Sequence, residues 1–275
     1  MSLLSDRSLR RLGRASFSGL ALAIFAFLIL PLVCVIWVGF FANKIVSFPP
    51  EGYTTDWFRN ALAVASFRDG FLLSLRVSAC AAAGALILGI PAALLIGRRQ
   101  FPGRAIVMGV LMSPLVVPGI VGGAATYMFF IEWEVATELQ VAATLPGLII
   151  AHTVIAVPWT MRVMVASLVS LDPALEEASM NLGANRWVTL VKVVLPVVRP
   201  AIVAASLLSF VISFIDLELS LFLVGPGRTT LPIAIVSYLQ WTLDPTICAV
   251  ATIQILLIGS MLLIADRFVS ISKAF

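Results

Sequence analysis

The 275-residue chain is 61% apolar and only 12% charged, with mean hydropathy +1.08. A water-soluble domain cannot hide that much apolar surface, whereas apolar runs of about 20 residues read as membrane spans. The net charge of +4 is small and unevenly placed, so it speaks to orientation in a membrane and not to nucleic acid.

Cys34, Cys80 and Cys248 all fall inside apolar runs, and their odd number argues against a disulfide framework. His152 is the one histidine, lies in an apolar block and reads as a helix-packing residue, so no metal cluster is expected.

In chain order, residues 1–19 carry Arg7, Arg10, Arg11 and Arg14 against Asp6 and read as a basic cytoplasmic N-terminus. Residues 20–41 are nearly continuous apolar sequence, longer than a cleaved leader core, and are read as the first transmembrane helix. Residues 42–69 form a polar loop in which Trp57-Phe58 suits a membrane interface. A core domain of five further spans is expected over residues 70–268. Phe71–Ile96 is its first helix, with Arg76 near the outer end, able to snorkel. Arg98, Arg99 and Arg104 follow in a short cytoplasmic turn. Ala105–Phe130 is the next, and Ser113-Pro114, Pro118-Gly119 and Gly122-Gly123 predict a kinked helix packed inside the bundle. Glu132, Glu134 and Glu138 fall in the outer loop after it. Pro146 to about Val165 is the fourth span of the chain, ended by Arg162.

Leu171 to Pro200 is the longest ordered-looking run outside the apolar blocks. Asp172 suits an N-cap and Pro173 the first helical position. Glu176 and Glu177 follow near the positive end of the helix dipole. Leu175, Ala178, Ser179 and Leu182 share a face, Gly183 is a natural left-handed stop, and Asn185 can cap a second helix carrying Arg186 and Lys192. The segment therefore predicts a helix at about 173–182 between the fourth and fifth spans.

The spacing Glu177-Ala178-Ser179, three residues, Gly183, nine residues, Val193, one residue, Leu195-Pro196 resembles the signature loop of binding-protein-dependent ABC importer permeases. Ser replaces the second Ala of that pattern and Val its Ile. The resemblance implies that this helix is a coupling helix docking in a cleft of a cytoplasmic ATPase, through Glu176, Glu177, Ala178, Gly183 and Arg186. It further implies a dimer of ATPase subunits that bind ATP and Mg, a second homologous permease chain, a periplasmic solute-binding protein, and an inner-membrane location. No cofactor is expected on this chain itself.

Ala201–Val224 is the fifth span. Ser206, Ser209, Ser213, Asp216 and Ser220 recur at steps of three and four and fall within an arc of roughly 80° on a continuous helix. One reading makes that stripe a lining of the translocation path. The other makes it small-residue packing, with Asp216 paired to an arginine such as Arg76. Glu218 lies off the stripe. Gly225-Pro226-Gly227 turns the chain outside, 228–245 is a loop, Thr246–Ile264 is the sixth span, and 269–275 is a cytoplasmic tail.

Basic residues sort by side. Arg7, Arg10, Arg11, Arg14, Arg98, Arg99, Arg104, Arg162, Arg186, Lys192, Arg199, Arg267 and Lys273 fall inside; Lys44, Arg59, Arg68, Arg76 and Arg228 fall outside. That bias puts both termini, and Glu177, in the cytoplasm. The fold class expected is therefore an all-α membrane protein of six transmembrane helices.

The stretches SFVISFIDLELSLFLVGPGRTTLPIAI and MSPLVVPGI resemble the polyamine (spermidine/putrescine) branch of these permeases, although Ile215 stands where that branch often carries a second acid. Related members import amino acid derivatives, opines or phosphonates. Lys44, Lys192 and Lys273 each follow a non-glycine, so no P-loop is present, and no serine-nucleophile or HExxH motif appears. ATP hydrolysis is thus expected on another subunit, and a membrane enzyme has no catalytic constellation here. An ion-coupled secondary transporter or channel would show paired intramembrane ionisable groups in related halves, for which only Asp216 and Glu218 are candidates.

Overall fold

Pro31, Pro91 and Pro158 are carried inside long apolar helices, whereas Pro114 and Pro118 together break one. The computed structural model describes the backbone over residues 3–269 and side chains over 16–267. All but the first residue of the expected 269–275 tail, and the side chains of Arg7, Arg10, Arg11, Arg14 and Lys273, lie outside that range.

The helices in order are α1 (Leu3–Val38), α2 (Asp56–Ala63), α3 (Ala65–Arg98), α4 (Arg104–Met112), α5 (Gly119–Thr137), α6 (Leu145–Ser170), α7 (Ala174–Asn181), α8 (Arg186–Thr189), α9 (Leu195–Val197), α10 (Arg199–Ile215), α11 (Ser220–Leu223), α12 (Leu231–Leu239) and α13 (Thr246–Val269). Among the described residues there is no strand, only an isolated bridge between Phe41 and Tyr53. Four helical stretches are long and apolar enough to cross a membrane: Ser16–Val38 of α1, α3, α6 and Thr246–Arg267 of α13. Two bent pairs bring the number to six if each is one span. They are Arg104–Leu115 with Gly119–Thr137, bent by 103°, and Arg186–Val197 with Arg199–Ile215, bent by 69°.

The chain divides into two units. The first holds residues up to Ala63 and Thr242–Ile255. Here Gly39 lets α1 approach Cys248 and Ala249. The indole N–H groups of Trp37 and Trp57 donate to Tyr53 Oη (3.2 Å) and the Phe41 carbonyl (2.6 Å), and Asn60 donates to Thr246 Oγ1 at 2.9 Å. The loop expected over 42–69 is thus anchored, and it contains α2 and the first turn of α3.

The second unit, Val64–Trp241 with Leu256 onward, is built on α3, α6 and α10. Thr144 caps α6 by accepting from Gly147 N, and Pro146 occupies its first turn, where a missing N–H is harmless. Ala81, Ala85 and Ala93 of α3 are fully buried. A Cβ added at Gly84 would stand 2.9 Å from Thr153 Cγ2, and one at Gly89 2.7 Å from Thr160 Cγ2. Two apolar helices gain nothing hydrophobic by pairing in lipid, so small residues that admit close packing hold them together.

The third expected span is bent at its prolines, as predicted, but by 103°. Pro114 and Pro118 withhold backbone donors, a single 3₁₀ turn at Ser113–Leu115 ends α4, and Pro118 turns extended before α5 begins. It is not inside the bundle: α4 buries none of its residues and α5 only Gly123 and Phe130. Glu132 and Glu134 belong to α5, not to the loop, and Glu134 Oε1 accepts from the amides of Val141 and Ala142.

Candidate functional site

The α7–α8 segment forms as its residues dictate. Asp172 Oδ1 accepts from Ala174 N at 2.9 Å, and Pro173 O accepts from Glu176 N and Glu177 N. Asn185 Oδ1 accepts from Val188 N at 2.8 Å and starts α8. Between the two, Gly183 takes φ +89°, where a side chain would be strained, and the turn closes through Gly183 N to Met180 O and Ala184 N to Ser179 O. Ser179, the residue that departs from the alanine of the motif, bonds Thr189 Oγ1 at 3.0 Å and fastens α7 to α8.

The two faces of this segment differ. Glu177, Ala178, Gly183 and Arg186 are exposed, as are Leu182 and Trp187, at 89% and 71%. Glu176 faces the other way. Its carboxylate is 2.7 Å from Arg98 Nη2 at the end of α3, and Arg98 Nη1 donates to the Leu171 carbonyl at 3.2 Å. Beside this pair lies a cavity of about 730 Å³, lined by Arg98, Arg99, Glu176, Glu177, Met180 and Arg186 among others. Nothing in sequence spacing linked residue 98 to residue 176.

The polar stripe is carried by a helix that stops. The unbroken helix expected through Val224 ends at Ile215, and Asp216 is extended. Asp216 Oδ1 accepts from Leu219 N (3.0 Å) and Ser220 N (3.2 Å), so the carboxylate caps the turn that leads into α11. The alternative pairing with Arg76 is not formed: the ion pairs among the described residues are Arg59–Asp56, Arg68–Asp69 and Arg98–Glu176.

Ser209, Ser213 and Ser220 are buried and Ser206 half-buried. Ser209 Oγ pairs with Thr160 Oγ1 at 2.8 Å and reaches the Ala156 carbonyl at 3.3 Å. His152, 1% exposed, spans the break: its Nδ1 is 2.8 Å from Ser213 Oγ and its Nε2 3.1 Å from Ser220 Oγ. The histidine thus packs helices, as expected, but it does so by bridging both sides of the interruption. Glu218 is exposed, and its carboxylate fills the space over Gly119, where α5 begins. On the α6–α10 face, a groove of about 610 Å³ is lined by Trp159, Arg162, Ser167, Ser170, Ala201 and Ala204. Arg162 lies over the Trp159 ring, 5.9 Å from its centroid. Among the described residues no group of three or more His, Cys, Asp or Glu is placed to hold a metal ion.

Comparison with known proteins bears on this arrangement. Residues 86–273 match the family of binding-protein-dependent transport system inner membrane components. The chain is 31% identical over 236 residues to the putrescine transport system permease protein PotI of Escherichia coli (strain K12), covering 86% of this chain and 84% of that one. It is 28% identical over 262 residues to the spermidine/putrescine transport system permease protein PotC of the same strain, covering 95% and 96%. Its fold is similar to a chain in the crystal structure of a bacterial ABC transporter involved in the import of the acidic polysaccharide alginate. There the TM-score is 0.69 at 15% identity, over 95% of this chain and 98% of that one.

Proposed function

The chain belongs to the family of binding-protein-dependent transport system inner membrane components, and on that premise we propose that it carries a small organic solute of the polyamine class inward, driven by ATP hydrolysed on a separate subunit. The solute class follows the putrescine and spermidine permeases it resembles. In this reading each bent pair is one span, six spans cross the membrane, and both termini lie in the cytoplasm, as the basic residues suggest. The helix α7 is the coupling helix.

The observation that carries the reading is the outward face of the α7–α8 segment. Glu177, Leu182, Arg186 and Trp187 project from either side of the Gly183 turn, combining opposite charges with bare apolar surface. An exposed apolar patch rimmed by charge marks a protein or membrane contact, and the opposite charges flanking this one suit a protein partner. ATP closes an ATPase dimer, the coupling segments of two permease chains approach, and the bundle opens outward to receive solute from a periplasmic binding protein. Asp216 and the half-buried Ser206 face the solute path; Ser209, Ser213 and Ser220 support it from behind through α6.

The test is reconstitution. Tagged chain purified from membranes brings an ATPase with it, and vesicles holding the complex take up labelled putrescine only when ATP and the binding protein are both supplied. Uptake that follows an ion gradient without ATP would sink the proposal. Uptake of a phosphonate or an opine in place of putrescine would keep the transport reading and replace the solute.

A further inference from the structure

We infer that Arg98 is a positioning residue that makes α3 the rod through which the coupling helix moves the opposite end of the bundle. The inference rests on the coupling role proposed for α7. Its observations concern the two ends of α3.

Arg98 ends α3, where a cation also suits the negative end of the helix dipole. Its guanidinium is divided between the Leu171 carbonyl, which closes α6, and the Glu176 carboxylate in the first turn of α7. The guanidinium donates to the Leu171 carbonyl through Nη1 and stands in ionic contact with the Glu176 carboxylate through Nη2, two contacts that the single ammonium of a lysine would not place alike. The two side chains are only 18% and 30% exposed, so the pair is shielded from water and salt more than a surface pair is. One residue earlier, a Cβ at Gly97 would stand 3.3 Å from the Cβ of the buried Leu168, so the end of α3 already packs on α6. Loss of Arg98 therefore removes this α3–α7 contact while leaving α3 packed on α6 and α7 fastened to α8.

At its other end α3 holds α12. Ser74 Oγ accepts from Leu231 N at 2.9 Å, the Phe67 and Tyr238 rings lie 4.9 Å apart, and a Cβ at Gly70 would stand 3.2 Å from Leu231 N. The 34 residues of α3 span about 50 Å at the helical rise. A displacement delivered to α7 reaches α12 along this one helix, provided that Arg98 transmits it.

The experiment uses the reconstituted transporter with Arg98→Glu, Glu176→Arg and the swap Arg98→Glu/Glu176→Arg. Three quantities are measured: co-purification of the ATPase, putrescine carried per ATP hydrolysed, and the spectrum of a spin label at Ser237→Cys on α12, with Cys34, Cys80 and Cys248 replaced by serine. Arg98→Glu retains the ATPase, and in both single variants solute per ATP falls about fivefold or more, in the range of ordinary coupling energies. The ATP-dependent change in the label signal is lost with it. The swap restores both. A merely structural role lowers the amount of complex and leaves the ratio and the label response unchanged in what remains; that result overturns the inference. So does a swap that fails to recover either readout. If unaltered protein brings no ATPase, the failure lies with the coupling reading instead.

Discussion

The residue whose substitution separates shape from contact is Gly183. Its φ of +89° costs a non-glycine residue about 1–2 kcal/mol. A Cβ placed there meets nothing within 4 Å in this chain, so that strain is the whole internal penalty. Gly183→Ala introduces the strain and almost no bulk. Gly183→Asn introduces less strain, since asparagine tolerates left-handed backbone, and slightly more bulk. Gly183→Arg introduces the same strain as alanine and a long cationic side chain pointing away from the chain. A penalty of 1–2 kcal/mol corresponds to about a 5- to 30-fold weaker interaction if the turn must be formed for docking. The assay is binding of purified ATPase to the permease in nanodiscs, with solute-stimulated hydrolysis measured alongside. Alanine and asparagine fall within that range, and their stimulated hydrolysis recovers at saturating ATPase. Arginine reaches the membrane at normal levels yet shows no stimulation at any ATPase concentration. If arginine binds as alanine does, no body docks against this turn and the reasoning is wrong.

Three further outcomes follow from the interior. Gly89→Ala drives a methyl into Thr160 Cγ2 and lowers the thermal midpoint in detergent by an amount corresponding to about 1–3 kcal/mol; adding Thr160→Ser, which keeps the hydroxyl bonded to Ser209, recovers most of it. His152→Leu strands the buried Ser213 hydroxyl and costs about 1–3 kcal/mol in the same assay, while His152→Gln costs less. Asp216→Asn keeps an oxygen to cap the turn into α11 and removes only the charge, whereas Asp216→Ala removes the cap as well, at about 1 kcal/mol. Both variants impair putrescine uptake, and only the alanine variant is less stable. Normal uptake by the asparagine variant would take Asp216 out of the solute path.

The legible parts of the sequence were those set by local chemistry. The caps at Asp172 and Asn185 and the stop at Gly183 act within a few residues, and α7 runs Ala174–Asn181 against an expected 173–182. The end of α10 was hidden because the serine spacing continues at helical steps across it; the same side chains that suggest a stripe bond α6 and close the break. Proline positions announced a disturbance between α4 and α5, but the size of the bend depends on two prolines acting in one turn. The nine residues of α12 are too short to span and fell in an expected loop; Ser74, more than 150 positions away, is what binds their first amide. Arg98 looked like ordinary cytoplasmic charge and Glu176 like an ATPase contact, since pairing across such a separation leaves no trace in spacing.

Thr153 and Thr160 fit into notches cut in α3 by Gly84 and Gly89, and Ala81, Ala85 and Ala93 of α3 are buried as well. Sliding α6 by one turn would set Thr160 against the methyl of Ala85 or Ala93, where no such notch exists. These contacts therefore oppose sliding of α6 along α3 by a turn. A chemical staple joining α3 to α6 is expected to leave the transport cycle running, because it adds little to the resistance that the notches already offer.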